Sequence, residues 1–161
     1  MRALVVVTLV LAACGGAPAP ATPTPSAGSA TPTVPADGSL YRRLGGYDAI
    51  AAVVDDFLGR WLADPVLAPF FEHLDGDGKA HVRQMVVDQL CAATGGPCLY
   101  LGLDMATAHE DLAIAAGDWN VAMQHLLATL DKFGVPARER RELDDILRSV
   151  RADVVRGNGT P

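Results

Sequence analysis

Basic side chains are in short supply. Thirteen Lys and Arg stand against 19 Asp and Glu, a net charge of −6 over 161 residues. Nothing here could neutralise a row of phosphates, which excludes a nucleic-acid partner. Long apolar runs are missing too. None approaches the ~20 residues that cross a bilayer, so a polytopic membrane protein is excluded. Three cysteines are too few for a disulfide scaffold. From Leu40 onward there is almost no strand-type alternation, and no repeat with a period of about 20–50 residues is visible. Charge itself is absent from residues 1–36 apart from Arg2. The remaining 12 basic and 19 acidic groups lie in the rest of the chain, a difference of −7.

That uncharged stretch has its own organisation. Met1-Arg2 gives a minimal positive start, and Ala3 to Leu11 is a mostly apolar run of nine. Small residues then precede a candidate cleavage site, the pattern of a signal peptide. Leu11-Ala12-Ala13-Cys14 resembles the bacterial lipoprotein box. The resemblance implies a signal peptide at 1–13 and a lipidated Cys14 as the new N-terminus. An ordinary cleaved signal, or a start codon set too early, is the plainer alternative. Gly15 to Ala36 is rich in Ala, Pro, Thr, Ser and Gly and holds six of the chain's 11 prolines. Such a stretch buries too little apolar surface to offset its ordering entropy. Residues 14–38 therefore read as a tether, at most ~3.1 Å per residue if fully polyproline II. The expected location is outside the cytoplasm, lipid-anchored, at the periplasmic face of a bacterial membrane.

The body, 39–156, shows helical periods. Ile50, Val53, Val54, Phe57, Leu58 and Trp61 recur at three and four residues and share a face. Asp64-Pro65 starts a short helix ending near Phe70-Phe71, and Asp75-Gly76-Asp77-Gly78 reads as a loop. Val82, Val86 and Leu90, with Met85 beside them, mark a second long helix that stops at Gly95-Gly96-Pro97. An irregular segment, Cys98 to Asp104, precedes a short helix carrying Met105, His109 and Leu112. Asp118 can cap the next helix, with Trp119, Met123, Leu126, Leu127, Leu130 and Phe133 on its buried face. Leu143, Ile146, Leu147, Val150 and Val154 form the stripe of a final helix, and 157–161 is a fraying tail. The expectation is a small all-α domain.

Four histidines are present. His73 lies near a loop, His81 sits off the apolar stripe, and His125 between Met123 and Leu126 can face outward. His109 differs, because Met105 and Leu112 fall on its own helical face. An imidazole among apolar groups must find a partner or lose its charge. On the residues alone it is either a core histidine bonded to a carbonyl or a metal ligand.

An ordered set of motifs decides more. Leu40-Tyr41-Arg42-Arg43-Leu44-Gly45-Gly46, Ala49-Ile50, Val53-Val54-Asp55-Asp56-Phe57 and Ala63-Asp64-Pro65 come first. Phe70-Phe71, Thr94-Gly95-Gly96-Pro97, Tyr100-x-Gly102 and Met105-x-x-x-His109 follow. From about Leu40 to Val155 the chain resembles the group I truncated haemoglobins. The resemblance implies a compact two-over-two helical sandwich binding haem b, with the paired glycines permitting sharp turns. It makes His109 the proximal ligand, since globin iron is held by a neutral imidazole nitrogen. The other ring nitrogen would donate to a carbonyl. Phe71 takes the haem-stacking position, and Met105, Leu112, Ile114 and Trp119 pack around the porphyrin.

On the distal side this chain departs from the family. Many relatives follow the phenylalanine of the first long helix with tyrosine; here Phe57 is followed by Leu58. Counting back from Gly95-Gly96, the other distal positions fall on Val82, Met85 and Val86. None of Leu58, Val82 and Val86 offers a hydrogen-bond donor, which weakens the case for tight oxygen storage or nitric oxide dioxygenation. Met85 is either apolar filler or a second axial ligand, as in Met/His cytochromes. The loop from Leu74 to Lys79 looks longer than usual for the family. A register shift of one residue would bring Gln84 or His81 inward instead.

Cys91 and Cys98 lie seven apart, either bridged or as two buried thiols. No second pair completes a zinc site. A calcium loop at Asp75 fails because Val86 stands where its terminal carboxylate belongs. Implied partners are oxygen or another diatomic gas, the membrane through the lipid, and an unidentified reductase. Three functions compete: a gas-binding globin with pentacoordinate iron, a six-coordinate electron-transfer or redox-sensing haem protein, and a haem-free interaction module.

Overall fold

The computed structural model describes residues 38–157, and every described element is helical. The expected signal peptide, Cys14 and nearly all of the tether lie outside these residues. Seven helices are present among them: α1 (Leu40–Arg43), α2 (Gly46–Ala63), α3 (Gly76–Ala93), α4 (Met105–His109), α5 (Ala116–Lys132), α6 (Ala137–Ser149) and α7 (Arg151–Val154). A 3-10 turn, Ala68–Phe71, joins α2 to α3.

The apolar stripe of α2 divides between two neighbours. Phe57 packs with Leu126 and Leu130 of α5, Leu143 of α6 and Val135. Ile50, Val54 and Leu58 pack with Val87 of α3. Trp61 lies against both groups. A void of about 20 Å³ remains in the core between Ile50, Leu90, Leu130 and Leu143, among others.

Both glycine pairs are required by the backbone. Gly45 and Gly46 take φ of 97° and 81°, and Gly95 takes 82°, values at which a Cβ is strained. A Cβ on Gly96 would lie 2.6 Å from the Cys91 sulfur and 2.7 Å from its carbonyl. At that crossing Tyr41 N–H donates to Thr94 O at 2.8 Å, tying α1 to the end of α3. Arg43 holds α1 to α6 through Glu139 at 2.9 Å and through Glu142. Cys91 and Cys98 are bridged, with Cα atoms 5.7 Å apart. The bridge links the last turn of α3 to the segment that enters α4.

Several local expectations need correction. Asp75-Gly76-Asp77-Gly78 is not a loop: Asp75 caps α3, its carboxylate accepting from Gly78 N–H at 2.8 Å. The last stripe is broken at Val150 into α6 and α7. Leu127 and Phe133, assigned to a buried face, are exposed. Leu112 lies beyond α4 rather than within it. Gly157 does not fray. Its N–H and that of Arg156 donate to Ile114 O at 2.8 and 3.0 Å.

Candidate haem site

His109 is set in place by short-range chemistry. Asp104 caps α4, its carboxylate accepting from Thr107 N–H at 3.0 Å and from the Thr107 hydroxyl at 2.8 Å. These bonds, the backbone one foremost, hold the Asp104 carboxyl below the usual carboxylate range. Just before the cap, the Tyr100 ring covers Gly102, where a Cβ would collide with it. The Tyr100 hydroxyl donates to Leu103 O at 2.7 Å. This accounts for the Tyr-x-Gly spacing. Burial pushes the Tyr100 phenol up, with Asp104 adding to it. Beyond α4 the chain turns at Ala113, φ 50°, against Gly157, whose missing Cβ leaves room for the Ala113 carbonyl. A five-residue helix is thus pinned at both ends.

Within α4, Nδ1 of His109 lies 2.8 Å from Met105 O. A carbonyl can only accept, so Nδ1 carries the proton. Nε2 of the neutral ring keeps its lone pair. This is the arrangement of a ligating imidazole whose second nitrogen is fixed by a carbonyl.

The remaining predicted site residues fall on α2, α3 and their surroundings. Leu58 is buried against Val54 and Val87, with Val86 packed on the same group. Val82 and Met85 are half-buried and belong to neither core group. Val82 and Val86, one turn apart, share a side of α3. Gln84 is spoken for elsewhere, its amide donating to the Tyr47 hydroxyl at 2.9 Å. His81 is exposed, and Gln84 is half-buried. Arg83, beside them, forks onto Asp55 of α2 at 2.7 and 2.9 Å. Phe71 is half-buried with its ring 6.0 Å from that of Trp61, and Trp61 in turn lies 4.3 Å from Phe57. Met105 and Leu112 are half-buried and Trp119 is buried on α5. Asp118 does close the start of α5, its carboxylate accepting from Ala115 N–H at 2.9 Å.

Two features escaped the sequence reading. His125 does not face outward: its Nε2 meets Asp64 at 2.8 Å. Asp64 also accepts from Val66 and Leu67 N–H groups, at 2.8 and 3.3 Å. His125, first, and these backbone bonds lower the Asp64 carboxyl. The pair joins α5 to the corner after α2. The second feature is Trp61. Its indole Nε1 is the one buried side-chain nitrogen or oxygen among the described residues without a hydrogen-bond partner. Leaving such a donor unpaired costs about 1–3 kcal/mol.

These residues fit a haem. A bare Nε2, apolar side chains at Leu58, Val82 and Val86, an aromatic at Phe71 and an unused buried donor suit an apolar prosthetic group with one metal bond. Known proteins agree. The bacterial-like globin family matches residues 39–156. A group 1 truncated hemoglobin of Chlamydomonas moewusii is 32% identical over 143 residues, covering 84% of this chain and 82% of that one. One from Mycolicibacterium paratuberculosis is 30% identical, covering 74% and 85%. Among solved structures, truncated hemoglobin from Tetrahymena pyriformis in its Fe(III) form superposes with a TM-score of 0.67 at 29% identity, covering 73% of this chain and 97% of that one. The 2/2 hemoglobin of Synechococcus sp. PCC 7002, solved in the cyanomet state with covalently attached heme, gives 0.67 at 32%, covering 73% and 98%. The helices around His109 are thus those of a two-over-two, haem-binding globin, and the chain belongs to the group I truncated haemoglobins.

Proposed function

We propose that this chain binds haem b through Nε2 of His109 and uses it to hold oxygen or another diatomic gas reversibly. Haem held by His109 Nε2 would supply iron with a coordination position left for such a ligand. The observation that carries the reading is the bond from His109 Nδ1–H to Met105 O. It fixes the tautomer and the orientation of the ring and leaves Nε2 as the ligating atom. Phe71 would stack on the porphyrin. Met105, Leu112 and Trp119 would cover its proximal side. Leu58, Val82 and Val86 would exclude water from the distal side, where their side chains can move no proton.

A second reading has one observation in its favour. Met85 is half-buried on α3 and belongs to neither core group, which leaves its thioether as the candidate distal ligand. Iron held by Met85 and His109 would suit electron transfer or redox sensing. An optical spectrum of the purified, reduced protein separates the two. A Soret band at one haem per chain with a high-spin, five-coordinate ferrous form is expected. A low-spin ferrous form without added ligand would assign the site to Met85 and electron transfer. Absence of haem after reconstitution would refute both.

We further propose that the domain works outside the cytoplasm, tethered by a lipid on Cys14, with an unidentified reductase returning its iron to the ferrous state. The Cys91–Cys98 bridge supports an oxidising compartment.

A further inference from the structure

The distal face lacks the expected donor, yet the core holds a donor with nothing to bond. We propose that the indole N–H of Trp61 is the hydrogen-bond donor to the small ligand held in the distal pocket, in the role that tyrosine would fill at position 58. The inference rests on the haem-binding reading above.

Three observations converge on Trp61. It stands one turn after Leu58 on α2, so the two side chains leave the same side of the helix. Its ring is in contact range of Phe71, the residue expected to stack on the porphyrin, at 6.0 Å between centroids. Its Nε1 is buried and unpaired, while every other buried side-chain polar atom among the described residues has a partner. Native chains seldom leave such a group unsatisfied, and a bound ligand is one of the few ways to satisfy it. Indole nitrogen only donates, which matches a ligand that gathers negative charge on its outer atom. Gln89 is the competing donor. It lies on the side of α3 that carries Val82 and Val86 and is half-buried, as Trp61 is, but it contributes no buried unpaired atom.

The test uses the haem-loaded, ferrous chain with carbon monoxide and oxygen as probes. Three proteins are compared with the wild type: Trp61→Phe, Gln89→Leu, and a chain in which Trp61 is replaced by its benzothiophene isostere. The isostere keeps the two fused rings and lacks only the N–H, so it remains informative if Trp61→Phe packs poorly. A donor to the ligand lowers the C–O stretching frequency and slows oxygen release. Loss of the N–H is expected to raise that frequency and to speed oxygen dissociation about tenfold, the loss of one hydrogen bond. Gln89→Leu should change neither. An unchanged frequency and release rate in the isostere, or a shift carried by Gln89→Leu alone, would overturn the inference while leaving the haem site standing. A wild-type chain that takes up no haem would overturn both.

Discussion

Single side chains in this domain are held by partners distant in sequence. Asp56 on α2 is the clearest case. It accepts from Lys132, from Arg60 at 2.7 Å and from the buried Thr129 hydroxyl at 2.9 Å. Lys132 and then Arg60 contribute most to holding its carboxyl far below the usual carboxylate range. The folded state therefore favours the ionised form more than the unfolded chain does. Its contribution is complete above about pH 4 and is lost as the pH falls below that. Urea unfolding followed from pH 7 to pH 2 should show this directly. Asp56→Asn is expected to be less stable than wild type at pH 7, with the gap narrowing in acid. A constant gap across the range would mean that Asp56 acts by shape rather than charge. His109 stood out at this scale as a histidine beside Met105 and Leu112, but only the ordered motifs around it made it the expected ligand. The pairing of His125 with Asp64 was not. The two are 61 residues apart, and neither has a local pattern that names the other. The unpaired nitrogen of Trp61 was equally invisible, since an orphaned donor is defined by all the groups around it.

At the scale of elements, the ends of helices separate what periodicity reveals from what it hides. The glycine pairs were readable, because left-handed backbone at Gly45, Gly46 and Gly95 admits few other residues. Asp75 was misread because Asp-Gly-Asp-Gly has the composition of a loop, whereas a carboxylate one position earlier than the helix caps it. The break at Val150 was hidden for the opposite reason. Leu147, Val150 and Val154 keep their apolar spacing straight across it. The bridge between Cys91 and Cys98 was open in the sequence and is made in the fold. It closes a short loop over Gly95-Gly96-Pro97, and chain-entropy arithmetic for about seven residues gives roughly 2 kcal/mol of stabilisation. The double variant Cys91→Ala, Cys98→Ala should lose about that much in denaturant unfolding under oxidising conditions. Wild type treated with a reductant should move towards it. Equal stability of the two proteins would show that Tyr41 and the Thr94 carbonyl hold the crossing unaided.

For the molecule as a whole, charge and the proposed tether define the setting. The body is acidic while residues 1–36 carry a single charge, so the proposed anchor is hydrophobic and covalent rather than electrostatic. Cys14→Ser should release the protein from the membrane fraction or block its processing. Unchanged fractionation and unchanged mass would remove the lipid from the account. The all-helical class and the order of the long helices followed from periods and turn residues alone. The two-over-two arrangement followed only from the ordered motifs, because periodicity assigns each helix a buried face without naming the helix that covers it. The proposed function rests on one imidazole, oriented by one carbonyl.

Titration of the haem-free chain with hemin, in wild type and in His109→Ala, is the most direct test of that claim. The wild type is predicted to saturate at one hemin per chain with a sharp Soret band. The variant is predicted to bind far more weakly, with an altered spectrum that added imidazole restores. A His109→Ala chain that binds hemin as tightly as wild type, with the same spectrum, would contradict the account.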